Sequence, residues 1–475
     1  MMNNENQVKI HQGVLEGKKE DGILKFYGIP YAQPPVAQLR WSPPQPVKPW
    51  EGVKSATSFS PVSPQFAGAV YTERSKAQSE DCLYLNVWTQ NTCESAKQPV
   101  MVWIHGGGFL GGSGSEDGYD GTAFAKKGVT LVTLNYRLGA FGFLAEPTIG
   151  ANFGIQDIIA ALVWVKNNIA AFGGDPSNVT VFGQSAGAVA IRALLSCPSA
   201  EGLFQRAIIQ SAGRLRADKY ALTSQESEKV LEALHYVAAD ELQNIPTMAI
   251  LKASSEMSGL PPKPGRVHTP ENLVWSPVVD GVVIPDISYQ PWIKDIQVMI
   301  GCTENEGRYF LKPEIHNNPA MLEGMALALA GTEKNAILAQ LEKNNSSVFE
   351  KLDYLMTRYV FSVPALEMAN DITQIGASVY LYRFSRTAPG AVANNERAKH
   401  TSEIRYVFGN LENSDFYEQA DYSLAEEMQT AWIEFASKGV PLCRDYTWPK
   451  YQMQKPAMTD ITDEMRETVS AHLFD

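Results

Sequence analysis

Val179-Thr-Val-Phe-Gly183-Gln184-Ser185-Ala186-Gly187, followed by Ala188-Val-Ala-Ile-Arg-Ala-Leu-Leu195, is an apolar strand that runs into G-x-S-x-G and then into a helix. That context gives the motif its meaning. A serine on a tight strand-to-helix turn is lifted clear of the backbone, and only small neighbours leave room for the turn. The helix N-terminus behind it favours negative charge developing nearby. Without that context the same residues would be an ordinary Gly-Ser connection.

Working outward, residues 83–88, 100–104 and 129–135 are β-branched, apolar runs that suit strands buried on both faces. Residues 154–171 carry Ile155, Ile158, Ile159, Leu162, Val165 and Ile169 at helical spacing, and Gly173-Gly174 ends the run. Residues 207–210, 297–300 and 378–384 read as further strands, and 424–437 as a late helix with Gly439 just past its end. At the N-terminus, strands over 7–16 and 22–28 are expected to flank a turn over 17–22, with an irregular Pro-rich segment after them. Alternating strands and helices predict an α/β fold, a large mostly parallel sheet with helices on both faces. The polar stretch 214–295, with helical pieces near 225–240 and a Pro-rich break at 261–264, and the helical stretch 318–375 are expected to be capping insertions; with 60–78 they are expected to line a gorge.

A serine nucleophile needs donors for an oxyanion, a base and an acid. Val100-Met-Val-Trp-Ile104 runs into His105-Gly106-Gly107-Gly108-Phe109, a loop able to turn successive N–H groups toward one point; the amides of Gly107, Gly108 and Ala186 are the expected donors. The overlapping G-x-G-x-x-G of Gly106, Gly108 and Gly111 is set aside as a dinucleotide fingerprint. The residues after it are too glycine-rich to open a helix, and the next strand ends in Asn135-Tyr136-Arg137 with no acid for a ribose. Triad order in such folds is Ser, acid, His. That leaves His316, His400 and His472 among seven histidines. His472 lies at the chain end and His316 only ten residues past the candidate acid, so His400 is the expected base. Val298-Met-Ile-Gly301 leads to two carboxylates, Glu304 and Glu306; Glu304 reads equally as a surface charge, and Glu306 before Gly307 is the choice.

Six further stretches then carry a resemblance. They are Tyr27-Gly-Ile-Pro30-Tyr-Ala, Pro34-Pro-Val with Leu39-Arg40-Trp41, Ser79-Glu80-Asp81-Cys82-Leu83-Tyr84-Leu85-Asn86, Asn135-Tyr136-Arg137, Phe172-Gly-Gly-Asp175-Pro176 and Val407-Phe408-Gly409-Asn410. Over most of its length the chain resembles the type-B carboxylesterases, the branch of the α/β-hydrolases that includes cholinesterases and bacterial para-nitrobenzyl esterases. The resemblance implies a triad of Ser185, Glu306 and His400, oxyanion donors at Gly107, Gly108 and Ala186, and a supporting hydroxyl at Ser211. It also implies internal ion pairs Arg40–Glu80 and Arg137–Asp157. Residues 1–475 then form one domain, since Ser185, Glu306 and His400 must converge. The expected activity is hydrolysis of small to medium uncharged esters through an acyl-enzyme, with no metal or cofactor. The alternatives are a non-catalytic, neuroligin-like binding protein on the same fold, or a hydrolase of carbamates, amides or lactones.

Composition bounds the partners. Lys and Arg total 40 against 52 Asp and Glu, a net charge of −12, which argues against nucleic acid. No run approaches the ~18 apolar residues of a membrane span. The first residues, MMNNENQVKI, hold neither a basic n-region nor an apolar h-region. The five cysteines are an odd number, and Cys82, whose counterpart in secreted relatives is bridged to an upstream cysteine, has none upstream; Ser63 stands about where the partner would be. A cytoplasmic monomer acting on a small-molecule ester is expected. No Trp lies between Trp50 and Trp88, the loop where cholinesterases hold a cation-binding Trp, so choline esters are not expected.

Two departures each remove a negative charge: Gln184 stands where the family usually has Glu, and Asn305 where it commonly has Asp. A carboxylate beside the base favours its charged form. Gln184→Glu is therefore expected to move the acid limb of the pH–activity profile to higher pH. Identical profiles in the two proteins contradict that expectation.

Overall fold

The apolar runs do form strands, and the alternation of their side chains explains why they are apolar throughout. In Gln98–Ile104, Val100, Val102 and Ile104 pack into one core while Met101 and Trp103 pack into another on the opposite face. Val298 and Ile300 likewise oppose Met299, and Val379 and Leu381 oppose Tyr380 and Tyr382. A strand covered on both faces has no position left for a solvated residue. The structure, a computed structural model, describes residues 5–65, 77–235, 244–258, 273–343, 346–411 and 415–469. His268, His472 and the Pro-rich break at 261–264 lie outside the described residues.

Eleven strands make one sheet; in spatial order they begin at residues 465, 457, 378, 297, 206, 174, 98, 130, 84, 23 and 18. From the strand at 457 to the strand at 130 all neighbours are parallel, and both margins are antiparallel. Phe153–Asn168 and Ala186–Leu194 cover one face, while Thr122–Lys126 and Gln419–Lys438 cover the other. Residues 219–375 supply most of the remaining helices, including Pro319–Ala330, Val348–Met356 and a π-helical turn at Thr357–Ser362 that runs on into Val363–Ile375.

Two local expectations differ. Residues 7–16 are themselves a hairpin, Gln7–Ile10 against Gly13–Glu16, and Lys18–Glu20, expected as turn, pairs with Ile23–Pro30. Charged residues populate Lys18–Glu20 because it is the outermost strand of the large sheet, where one side is solvated, whereas the 7–16 hairpin belongs to a separate three-stranded sheet. The last two strands, Ala457–Ile461 and Met465–Val469, were not expected: MRETV has almost no apolar pattern and is stabilised by its ladder to the preceding strand.

Both implied ion pairs form. Arg40 grips Glu80 through two bonds of 2.7 Å, and Arg137 grips Asp157 at 2.8 and 2.7 Å with both side chains buried. Cys82 is buried and free, and the Ser63 side chain hydrogen-bonds its thiol.

The nucleophile turn is jammed between neighbours. Ser185 sits at φ 57° and ψ −124° between Gly174–Gln184 and Ala186–Leu194. Its N–H donates to the Gln210 carbonyl at 2.9 Å, and its own carbonyl accepts from Val189 N–H at 2.9 Å. A Cβ on Gly187 would lie 1.9 Å from the Ile104 carbonyl oxygen, so only glycine lets the helix approach that strand end. Gly187→Ala is expected to destabilise the protein by about 1–3 kcal/mol, the range for overpacking a rigid site. Gly118→Ala, where a Cβ meets open space, is the control and should be near neutral. A wild-type denaturation midpoint for Gly187→Ala contradicts this account.

Candidate active site

The parallel strands deliver side chains to one edge of the sheet. Gly174–Gln184 ends at Ser185, Arg206–Gln210 at Ser211, and Gln297–Thr303 leads to Glu306. His400 arrives on the loop after Ser378–Phe384. That loop is tied to the acid's loop by backbone: Asn305 N–H donates to the Ala398 carbonyl at 2.9 Å, and Asn305 and Lys399 form an isolated parallel bridge.

Glu306 is fully buried, and burying a carboxylate is costly unless its oxygens are hydrogen-bonded. One oxygen accepts from the Ser211 hydroxyl at 2.6 Å and from the Thr303 N–H at 2.7 Å; the other accepts from His400 Nδ1. These bonds fix the imidazole's tautomer, leaving Nε2 with its lone pair. Phe361, Phe310 and Tyr309 close around the ring, with centroids 5.0, 5.1 and 5.5 Å away. Gln184 Nε2 lies 3.1 Å from His400 Nε2 and 3.3 Å from its Nδ1, so a neutral amide stands against the imidazole in place of the usual Glu.

Ser185, His400 and Gln184 line one cavity of about 300 Å³, together with Gly107, Gly108 and Ala186. Gly107 and Gly108 have φ 108° and 62°, the left-handed region in which a loop exposes successive amides and which glycine enters without strain. Ala186 opens its helix, so its N–H is one of those the helix leaves without an internal partner. Every residue expected at the site is thus on or directly behind this cavity. Glu304, the competing acid, is exposed at the surface with Arg383 as a nearby counter-charge. His316 is half-buried on the short helix Pro313–His316, with its ring nitrogen at the backbone of Lys312.

His105 is a structural group. Its ring stacks on Tyr136 at 4.5 Å, its Nδ1 donates to the Gly106 carbonyl at 2.7 Å, and burial pulls its pKa down to about 4, so the ring is neutral where it props the glycine loop. Reading from sequence missed Tyr119 and Phe361 on the cavity wall and the buried Glu403 behind it. Glu403 follows His400 by three residues, but within a polar loop that spacing carries no signal.

A profile of the carboxylesterase family matches residues 4–474. The chain is 36% identical to a para-nitrobenzyl esterase of Bacillus subtilis, covering 97% of this chain and 94% of that one. It is 35% identical to a fumonisin B1 esterase of Sphingopyxis macrogoltabida, over 94% and 85% of the two chains. A solved para-nitrobenzyl esterase structure superposes with TM-score 0.84 at 34% identity, over 98% of this chain and 97% of that one. A carboxylesterase of Geobacillus stearothermophilus gives TM-score 0.83 at 34% identity, over 99% and 100%. With an α/β-hydrolase sheet, a serine on its strained turn and near full-length likeness to these esterases, the chain belongs to the carboxylesterase family.

Proposed function

We propose that this protein is a serine carboxylesterase whose triad is Ser185, His400 and Glu306. His400 Nε2 takes the Ser185 proton as Oγ attacks the ester carbonyl, and Glu306 stabilises the resulting imidazolium without taking the proton itself. The amides of Gly107, Gly108 and Ala186 hold the oxyanion, each such donor contributing about 2.7–4 kcal/mol to barrier lowering in enzymes of this kind. His400 then gives its proton to the departing alcohol. Water, activated by His400, attacks the acyl-enzyme and releases the acid.

The observation that carries this reading is the convergence on one cavity of a strained Ser185 and a His400 whose Nδ1 is held by a fully buried Glu306. A neuroligin-like binding role gains nothing from such an arrangement. The residues 214–295 and 318–375 act as capping insertions on a single domain: Leu215, Lys219 and Leu273 from the first and Phe361 from the second line the cavity. The apolar ones among them, Leu215, Leu273 and Phe361, make with Phe109 and Val189 a wall suited to small or medium uncharged aryl and alkyl esters, the general carboxylesterase range, and the Bacillus relative's name points to p-nitrobenzyl esters. All groups of the site come from one chain, which supports a monomer as the working unit. Five free cysteines, four of them buried, support a reducing, cytoplasmic setting.

Hydrolysis of p-nitrophenyl esters of rising acyl length by wild type and Ser185→Ala tests this. The variant is expected to lose at least about a thousandfold in kcat, and wild-type rates should fall once the acyl chain outgrows the cavity. Equal rates in the two proteins would exclude Ser185 as the nucleophile.

A further inference from the structure

The wall of the cavity is charged in one sense only. Among the described residues that line it, Arg214, Arg216 and Lys219 carry a fixed charge, and no Asp or Glu is found. The chain as a whole holds 52 acids against 40 bases, so this local excess runs against its composition. All three follow Ser211 within eight residues, on the segment that leaves the end of the strand Arg206–Gln210. One strand end thus delivers both the hydroxyl that braces Glu306 and a cationic stretch of wall.

The protein holds all three in place. Arg214 grips Glu367 through two bonds of 2.9 Å and donates to the Tyr359 carbonyl at 2.8 Å; its side chain is 30% exposed, against 48% for the glutamate. Arg216 holds Asp218 at 3.0 and 2.7 Å, at 39% exposure against 69%. In each pair the base lines the cavity while the acid, absent from the lining, lies further out in water, which screens it more. Lys219 is 3% exposed and opens the helix Lys219–Ala233. Burying an ammonium is costly, and the positive end of a helix disfavours a cation while favouring an anion. Both costs are offset when an anion enters the cavity.

We propose that the site also takes esters that carry a carboxylate away from the ester group, such as half-esters of dicarboxylic acids, with Lys219 as the anion's main contact and Arg214 and Arg216 raising the potential beside it. These come in addition to the uncharged esters assigned above, which need only the apolar wall of Leu215, Leu273 and Phe361. The chemistry at Ser185 is unchanged. The acyl–oxygen bond breaks, water supplies OH to the acyl carbon and a proton to the alcohol, and the remote carboxylate keeps its charge. A cleft lined by one sign of charge concentrates ligands of the other sign and speeds their capture. The proposal rests on the triad reading given above.

The test compares esters that differ only in that charge. Monomethyl adipate is set against methyl adipamate for a carboxylate on the acyl side, and 6-acetoxyhexanoate against its carboxamide for one on the alcohol side. Acid release is followed by titration at low salt. In wild type, kcat/KM should favour the carboxylate in at least one pair by about tenfold or more, the worth of one hydrogen bond to a charged group. That ratio should fall toward one in Lys219→Met and fall in part in Arg216→Gln, whose side chain is half-exposed. It should also shrink as salt is added. Taking the ratio within each protein removes any general loss of activity. A wild-type ratio of one or below in both pairs, or a ratio that neither substitution moves, overturns the proposal. Hydrolysis of these esters by Ser185→Ala at the wild-type rate would instead remove the triad reading, and this proposal with it.

Discussion

The backbone contact between the end of the strand Gln98–Ile104 and the start of the helix Ala186–Leu194 is the constraint on which the site depends. Ile104's carbonyl occupies the space that any side chain at Gly187 would need. The contact holds the helix close, which forces Ser185 into a conformation that costs of order 1–3 kcal/mol for a residue with a Cβ. The same strand continues into His105 and the glycine loop. The position of the serine and the position of the expected oxyanion donors are therefore set by one packing contact, and neither can drift without the other. Overlapping cores on both faces of the sheet hold that contact rigid.

Charge is handled with equal economy. A buried Glu306 is tolerable because three donors face it, one of them the imidazole it orients. Those donors come from three separate stretches of chain, at 211, 303 and 400, which meet only because parallel strands end at one edge. The ends of neighbouring strands do the assembling: Gln184 meets His400, Gln210 meets Glu403 and the Ser185 amide, and Ser211 meets Glu306. Gln184 keeps a negative charge from the position against the imidazole.

What could be read from the sequence follows from this physics. Strands buried on both faces leave continuous apolar runs, so the central sheet was legible, as was the G-x-S-x-G turn, whose small residues are sterically required. Triad order and strand ends located His400 and Glu306 in loops that otherwise look unremarkable. The margins were not legible: Lys18–Glu20 and Met465–Val469 are stabilised by ladder hydrogen bonds rather than by burial, and so carry little pattern. Glu403 was invisible for a different reason. Its burial comes from the sheet, Trp432 and the loop together, contacts separated by up to 193 residues in sequence between it and Gln210. Likewise Phe361 reaches His400 from a π-helical turn that no local composition announces.

Covalent trapping tests the account at its centre. The chain is treated with an organophosphate such as diisopropyl fluorophosphate, and the adduct is located by peptide mass mapping. The account predicts one phosphoryl group per chain, on Ser185, appearing in step with the loss of esterase activity. Loss of activity with the adduct on another residue, or retained activity in a chain fully labelled at Ser185, would contradict it.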